Sequence, residues 1–137
     1  MPTRRFTGAC HCGAVRFEAG VDLASARRCD CSFCRMRGAV AVSAKLTDLA
    51  IVGGDEDLTL YTFNTGVAKH WFCRHCGIYT HHQRRSDPEE YGVNVACLDG
   101  VSPFDFAELP VMDGVAHPGD TGVSRVAGML RFARFQR

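Results

Sequence analysis

Seven of the eight cysteines in this chain fall in three tight groups, and thiolates at such spacing are metal ligands or redox pairs. Cys10-His11-Cys12-Gly13 comes first, Cys29-Asp30-Cys31-Ser32-Phe33-Cys34 second, and Cys73-Arg74-His75-Cys76-Gly77 third. Zinc takes soft sulfur ligands at about 2.3 Å in a tetrahedron. A Cys-x-x-Cys turn puts two thiolates on one ion, and the glycine after each outer pair lets the backbone reverse tightly. The first and third groups supply two ligands each. They close a four-thiolate structural site from Cys10, Cys12, Cys73 and Cys76 that pins the N-terminal strand to the middle of the chain. Cys29, Cys31 and Cys34 offer three thiolates within six residues, one short of closure. Three protein ligands and an open position form the pattern of a reactive zinc. Closure from elsewhere is the alternative, with Asp30, His70, His75, His81, His82 and His117 available. Cys97 stands alone at the end of an apolar run and is expected in the core.

Three thiolates on a divalent zinc carry a net negative charge. Arg27, Arg28, Arg35 and Arg37 flank that group. They neutralise it, hold the carboxylates of an anionic ligand, or form a solvated basic face; the sequence leaves all three readings open.

These groups have to be positioned by a single domain of 137 residues, long enough to bury its own apolar core. The net charge of +1 provides no global field for nucleic acid or an anionic membrane, so neither is an expected partner. No stretch approaches the length of a membrane span, and no apolar run follows Arg4-Arg5 as a secretory signal requires. Clustered cysteines without such a signal point to a reducing cytoplasm, where they serve metal or redox chemistry.

The apolar pattern is short and strand-like. Val15 to Ala19 alternates with period two, and runs at 39–43, 49–52, 58–63 and 91–97 are rich in Val, Leu or aromatics. Gly53-Gly54, Asn64-Thr65-Gly66 and Asp99-Gly100 separate them as turns. The pattern predicts a mostly β domain. Asp30 to Gly38 fits a helical turn, Pro103 to Gly122 an extended surface loop, and Val126 to Arg134 either a helix or a strand.

The residues that carry the metal pattern also carry a resemblance. Gly8-Ala9-Cys10-His11-Cys12-Gly13, Cys29 through Arg35, Gly53-Gly54, Leu58, Tyr61 and Phe72-Cys73-Arg74-His75-Cys76-Gly77 are similar to the glutathione-dependent formaldehyde-activating family, also described as the CENP-V/GFA domain. The likeness covers roughly residues 6 to 100. It implies an Mss4-like fold of short antiparallel sheets. It also implies a structural zinc on Cys10, Cys12, Cys73 and Cys76 and a second zinc on Cys29, Cys31 and Cys34. The activity it implies joins glutathione to formaldehyde, formally a carbon–sulfur lyase run in reverse. One departure is Met36, which separates Arg35 from Arg37 where the family often has two adjacent basic residues.

On that reading a glutathione sulfur occupies the fourth position of the second zinc as a thiolate and adds to an aldehyde. Arg35 and Arg37 are the expected contacts for its carboxylates, and His11, His75 and Tyr79 are candidate general acids. The rival readings are a non-enzymatic two-zinc binding module and a sensor that binds a thiol adduct without turnover. A fourth protein ligand at the second metal favours the module.

Overall fold

The computed structural model describes residues 2–137. Ten strands form one hydrogen-bonded network: β1 (Arg4–Ala9), β2 (Arg16–Cys29), β3 (Ala41–Lys45), β4 (Leu49–Gly53), β5 (Leu58–Tyr61), β6 (Lys69–Cys73), β7 (Tyr79–Gln83), β8 (Glu90–Asn94), β9 (Glu108–Met112) and β10 (Val126–Arg131). Two short helices interrupt them, α1 (Ser32–Arg37) and α2 (Pro118–Thr121). The order is β10-β9-β2-β3-β8-β7-β6-β5, with β1 and β4 both paired to β2. The fold is mostly β and consistent with the Mss4-like architecture.

The long strand β2 organises the molecule. Its first half alternates, with Phe17 and Ala19 buried between exposed Arg16 and Glu18, and β1 and β4 flank it there. Its second half pairs with β3 and then, in parallel, with β9. Phe17, Ala19, Val21, Val42, Val93 and Val95 are each 1% exposed or less and form the centre of the core. Leu98 and Leu109 belong to the same buried cluster.

Both outer cysteine pairs occupy hairpin connections. Ala9 pairs with Arg16 across the β1–β2 turn that carries Cys10 and Cys12. Phe72 pairs with Tyr79 across the β6–β7 turn that carries Cys76, with Cys73 at the end of β6. Gly13 and Gly77 have φ of 81° and 74°, the left-handed conformation that glycine adopts without a steric cost. Strands β6 and β7 were not among the expected runs. The segment expected as an extended loop between Pro103 and Gly122 instead contains β9, and Leu109 on it is buried. Val126–Arg131 is a strand on the edge of the sheet, which decides between the two readings of that segment. Among the described residues no helix is long and apolar enough to cross a membrane.

Candidate metal centres and the cleft beside them

At the first site the sulfurs of Cys10, Cys12, Cys73 and Cys76 all lie within 4.8 Å of one another. Cys10 Sγ and Cys73 Sγ are each 3.7 Å from Cys12 Sγ. A tetrahedral ion with sulfurs at about 2.3 Å sets them about 3.8 Å apart. A disulfide needs about 2.05 Å, and all eight cysteines are free. Backbone N–H groups support the sulfurs: Val15 donates to Cys10 Sγ at 3.3 Å and His75 to Cys73 Sγ at 3.4 Å. The hairpin carbonyls are used as well, with Gly13 N–H on Cys10 O and Gly77 N–H on Cys73 O. Cys10, Val15 and Cys73 form a small core of their own beneath the site, packed against Leu58 and Ala14.

The second site is built where β2 ends and α1 begins. The sulfurs of Cys29, Cys31 and Cys34 lie within 4.8 Å of one another. Cys31 is the N-cap of α1 and its sulfur accepts the Cys34 N–H at 3.3 Å, while Cys31 N–H donates to Cys29 Sγ at 3.4 Å. Gly38, at φ 72°, ends the helix. Hydrogen bonds from Cys29 and then Cys34 push the Cys31 thiol down to about 2. Donation to Cys31, then to Cys34, pushes Cys29 far up. A cation at the centre of three adjacent thiols would let all three ionise. The donor set is soft and fits zinc better than a hard oxygen-seeking ion.

Among the described residues no histidine or carboxylate joins these three sulfurs. Each candidate for closure has one ring nitrogen or carboxylate oxygen engaged elsewhere. Asp30 Oδ1 accepts Gly114 N–H at 2.7 Å, His117 Nδ1 caps α2, and His75 Nε2 meets Asp57 Oδ1 at 2.8 Å. His81 Nδ1 meets the Thr80 hydroxyl, His82 Nδ1 the Tyr79 hydroxyl, and His70 Nδ1 the Arg37 guanidinium. Cys97, the eighth cysteine, is buried in the core, where its Sγ donates to Tyr79 O.

The three-cysteine cluster opens onto a cleft of about 690 Å³, within the usual range for a small-molecule site. Its wall holds Arg27, Arg28, Arg37, Arg84 and Arg85, against the acidic Asp87, Glu90, Asp113 and Asp120. Arg37 lies in that wall, held 3.8 Å over the Tyr79 ring and 4.6 Å from the Phe33 ring, and it donates to Cys34 Sγ at 3.6 Å. Arg35 is on the exposed face of α1, outside the cleft wall. His11 and Tyr79 lie outside it too, as does His75. The fold brings to the cleft the cross-strand pair His70 and His82, which the sequence offered only as possible closing ligands, together with the buried Arg84 and with Gly114, to which sequence reasoning gave no role at the site. An alanine Cβ at Gly114 would lie 2.5 Å from Cys29 Sγ and 2.6 Å from Cys31 N, so the loop after β9 closes directly over the cluster.

The comparisons with known proteins agree with this construction. The family model for glutathione-dependent formaldehyde-activating enzyme matches residues 5–109. A crystal structure of a Rhodobacter sphaeroides protein is similar at 65% identity, with a TM-score of 0.75, over 77% of this chain and 98% of that one. Strand β10, α2 and the loop over the cysteine cluster lie beyond the matched family region. The chain belongs to the glutathione-dependent formaldehyde-activating family.

Proposed function

We propose that the protein binds two zinc ions and joins a thiol such as glutathione to an aldehyde, in the manner of S-(hydroxymethyl)glutathione synthase, with Cys29, Cys31 and Cys34 as the residues that would hold the zinc keeping the thiol ionised. The observation that carries the reading is the three-cysteine cluster with no fourth protein ligand among the described residues, facing a cleft of ligand size. When bound there, zinc supplies a site at which a thiol is held as thiolate at neutral pH. The chain's own residues do the rest. Arg37 donates to Cys34 Sγ and so offsets the negative charge of the cluster. Arg27 and Arg28 sit next to Cys29 on β2, half-buried in the cleft wall, and are placed to grip the carboxylates of an anionic thiol. Gly114 and the loop that bears it exclude water from one side of the sulfurs. The substrates are small molecules, and the reaction suits a reducing cytoplasm. The same open position favours an enzyme or thiol sensor over a purely structural module.

The test is a binding titration of the zinc-loaded protein with glutathione and with S-methylglutathione. The second keeps both carboxylates but forms no thiolate, so the expected result is much weaker binding. Arg28→Ala is expected to weaken glutathione binding, and Arg35→Ala, on the outer face of α1, to leave it nearer wild type. Equal binding of the two ligands would take the sulfur off the metal and leave the structural-module reading.

A further inference from the structure

The cleft wall contains a hydrogen-bond donor that has no partner. Arg37 Nη1 lies 2.9 Å from His70 Nδ1. A guanidinium has donors and no acceptor, so His70 Nδ1 must present its lone pair and the ring proton must sit on Nε2. The contact thus settles the tautomer. His70 Nε2 is buried and makes no hydrogen bond. The whole residue is 5% exposed, yet it forms part of the cleft wall. Phe33 and Phe63 flank the ring at centroid distances of 4.5 and 5.8 Å, and His82 stacks on it at 5.1 Å. Burial, and then the Arg37 charge, hold the His70 pKa down at about 4, so it is a neutral imidazole at pH 7. The guanidinium that orients the ring also touches Cys34 Sγ, which ties the donor to the cysteine cluster. Native proteins leave few buried donors unpaired, and one in a ligand cleft awaits an oxygen.

We propose that His70 Nε2–H is the hydrogen-bond donor to the aldehyde oxygen in the cleft, polarising the carbonyl that the thiol sulfur attacks; this rests on the thiol-addition reading above. The sulfur lone pair forms the carbon–sulfur bond, and the carbonyl π pair moves onto oxygen. That oxygen takes a proton from solvent, balancing the one the thiol released. His70 keeps its own proton throughout, since a neutral imidazole acts here as an electrophile rather than an acid. The Phe63 ring that stacks on one face of His70 is 38% exposed beside the Asn64–Gly66 turn.

The experiment uses zinc-loaded protein. Long-range proton–nitrogen NMR identifies the protonated ring nitrogen of His70. The expected result is a proton on Nε2, with its resonance moving downfield when glutathione and formaldehyde are added together but not with glutathione alone. In kinetics, His70→Phe keeps a ring in place and removes the donor. Its expected effect is a fall in kcat of about 10²-fold with unchanged glutathione affinity, the cost of losing one such donor. His70→Gln restores an N–H near the same position and should recover part of the rate. A proton on Nδ1, an Nε2–H resonance indifferent to the aldehyde, or a His70→Phe variant with wild-type kcat would overturn the inference while glutathione binding stands. Failure of glutathione to bind at all would overturn the proposed function and this inference together. The NMR arm holds even where the variants fail to fold.

Discussion

Replacing Gly114 with alanine tests whether the loop beyond β9 is part of the three-cysteine site. Gly114 does not occupy the left-handed region, so alanine meets no backbone penalty there. The whole effect must come from the added methyl. That methyl would sit 2.5 Å from Cys29 Sγ, 2.6 Å from Cys31 Cβ and 2.6 Å from Cys31 N. Cys31 N is backbone and Cys31 Cβ is fixed to it, so either the cluster or the loop has to move. Overpacking of this kind costs about 1–3 kcal/mol. For a chain of this size that is roughly 3–12 °C in Tm. If the loop moves, the Gly114 N–H bond to Asp30 Oδ1 at 2.7 Å also weakens. Thermal unfolding at a fixed zinc concentration, with metal content measured on the same samples, is the assay. The expected outcome is a lowered Tm together with loss of metal from the three-cysteine site. Gly128, with open space around it and no positive φ, is the control, and Gly128→Ala should change stability by no more than about 0.5 kcal/mol. A Gly114→Ala protein with wild-type Tm and metal content would refute the idea that this loop abuts the sulfurs.

Two further outcomes follow from the same structure. Cys73→Ser should destabilise the fold far more than Cys31→Ser, because the first opens a site joining the β1–β2 and β6–β7 hairpins while the second frees only the end of β2 and α1; equal loss of Tm would count against that division. Stability should also fall with acid through His81, which is 4% exposed and whose pKa burial lowers from 6.5 to about 4. The unfolded imidazole takes up its proton below pH 6.5 and the folded one only near 4, so the unfolded chain binds more protons in that window and gains as pH drops. The loss amounts to about 3 kcal/mol across the window. His81→Phe keeps a ring against Trp71 and removes the titration. Urea unfolding at several pH values should therefore show the wild type losing ground to the variant between pH 6.5 and 4, and parallel curves would contradict it.

The cysteine groups were legible because each is local: ligand spacing within a turn is written in consecutive residues. The division into four and three follows from counting, and the structure brings the same residues together. The strands β6 and β7 were harder to see. Of their six buried residues, His70, Thr80, His81 and His82 are polar and the histidines face Arg37, Tyr79 and Trp71 rather than an aliphatic layer, so no apolar alternation marks them. Strand β9 was hidden by Pro110. Its parallel pairing with β2 involves only Val111 and Met112, so the missing N–H of the proline falls before that ladder begins. All six residues of β10 are exposed, and without one-sided burial the apolar spacing there favours neither period. The cleft was the least legible feature. His70 and His82 are 12 residues apart and meet only through cross-strand register, and Gly114 reaches Cys29 only through the β9–β2 pairing.

The most direct test of the account is the metal content of the chain and of two variants purified without chelator. The division of seven cysteines into two sites gives close to two zinc ions per wild-type chain. It gives close to one in folded Cys34→Ser, whose four-cysteine site is untouched. A wild-type protein that is folded and metal-free, or a Cys34→Ser protein that keeps two zinc ions while Cys12→Ser also keeps two, would contradict it.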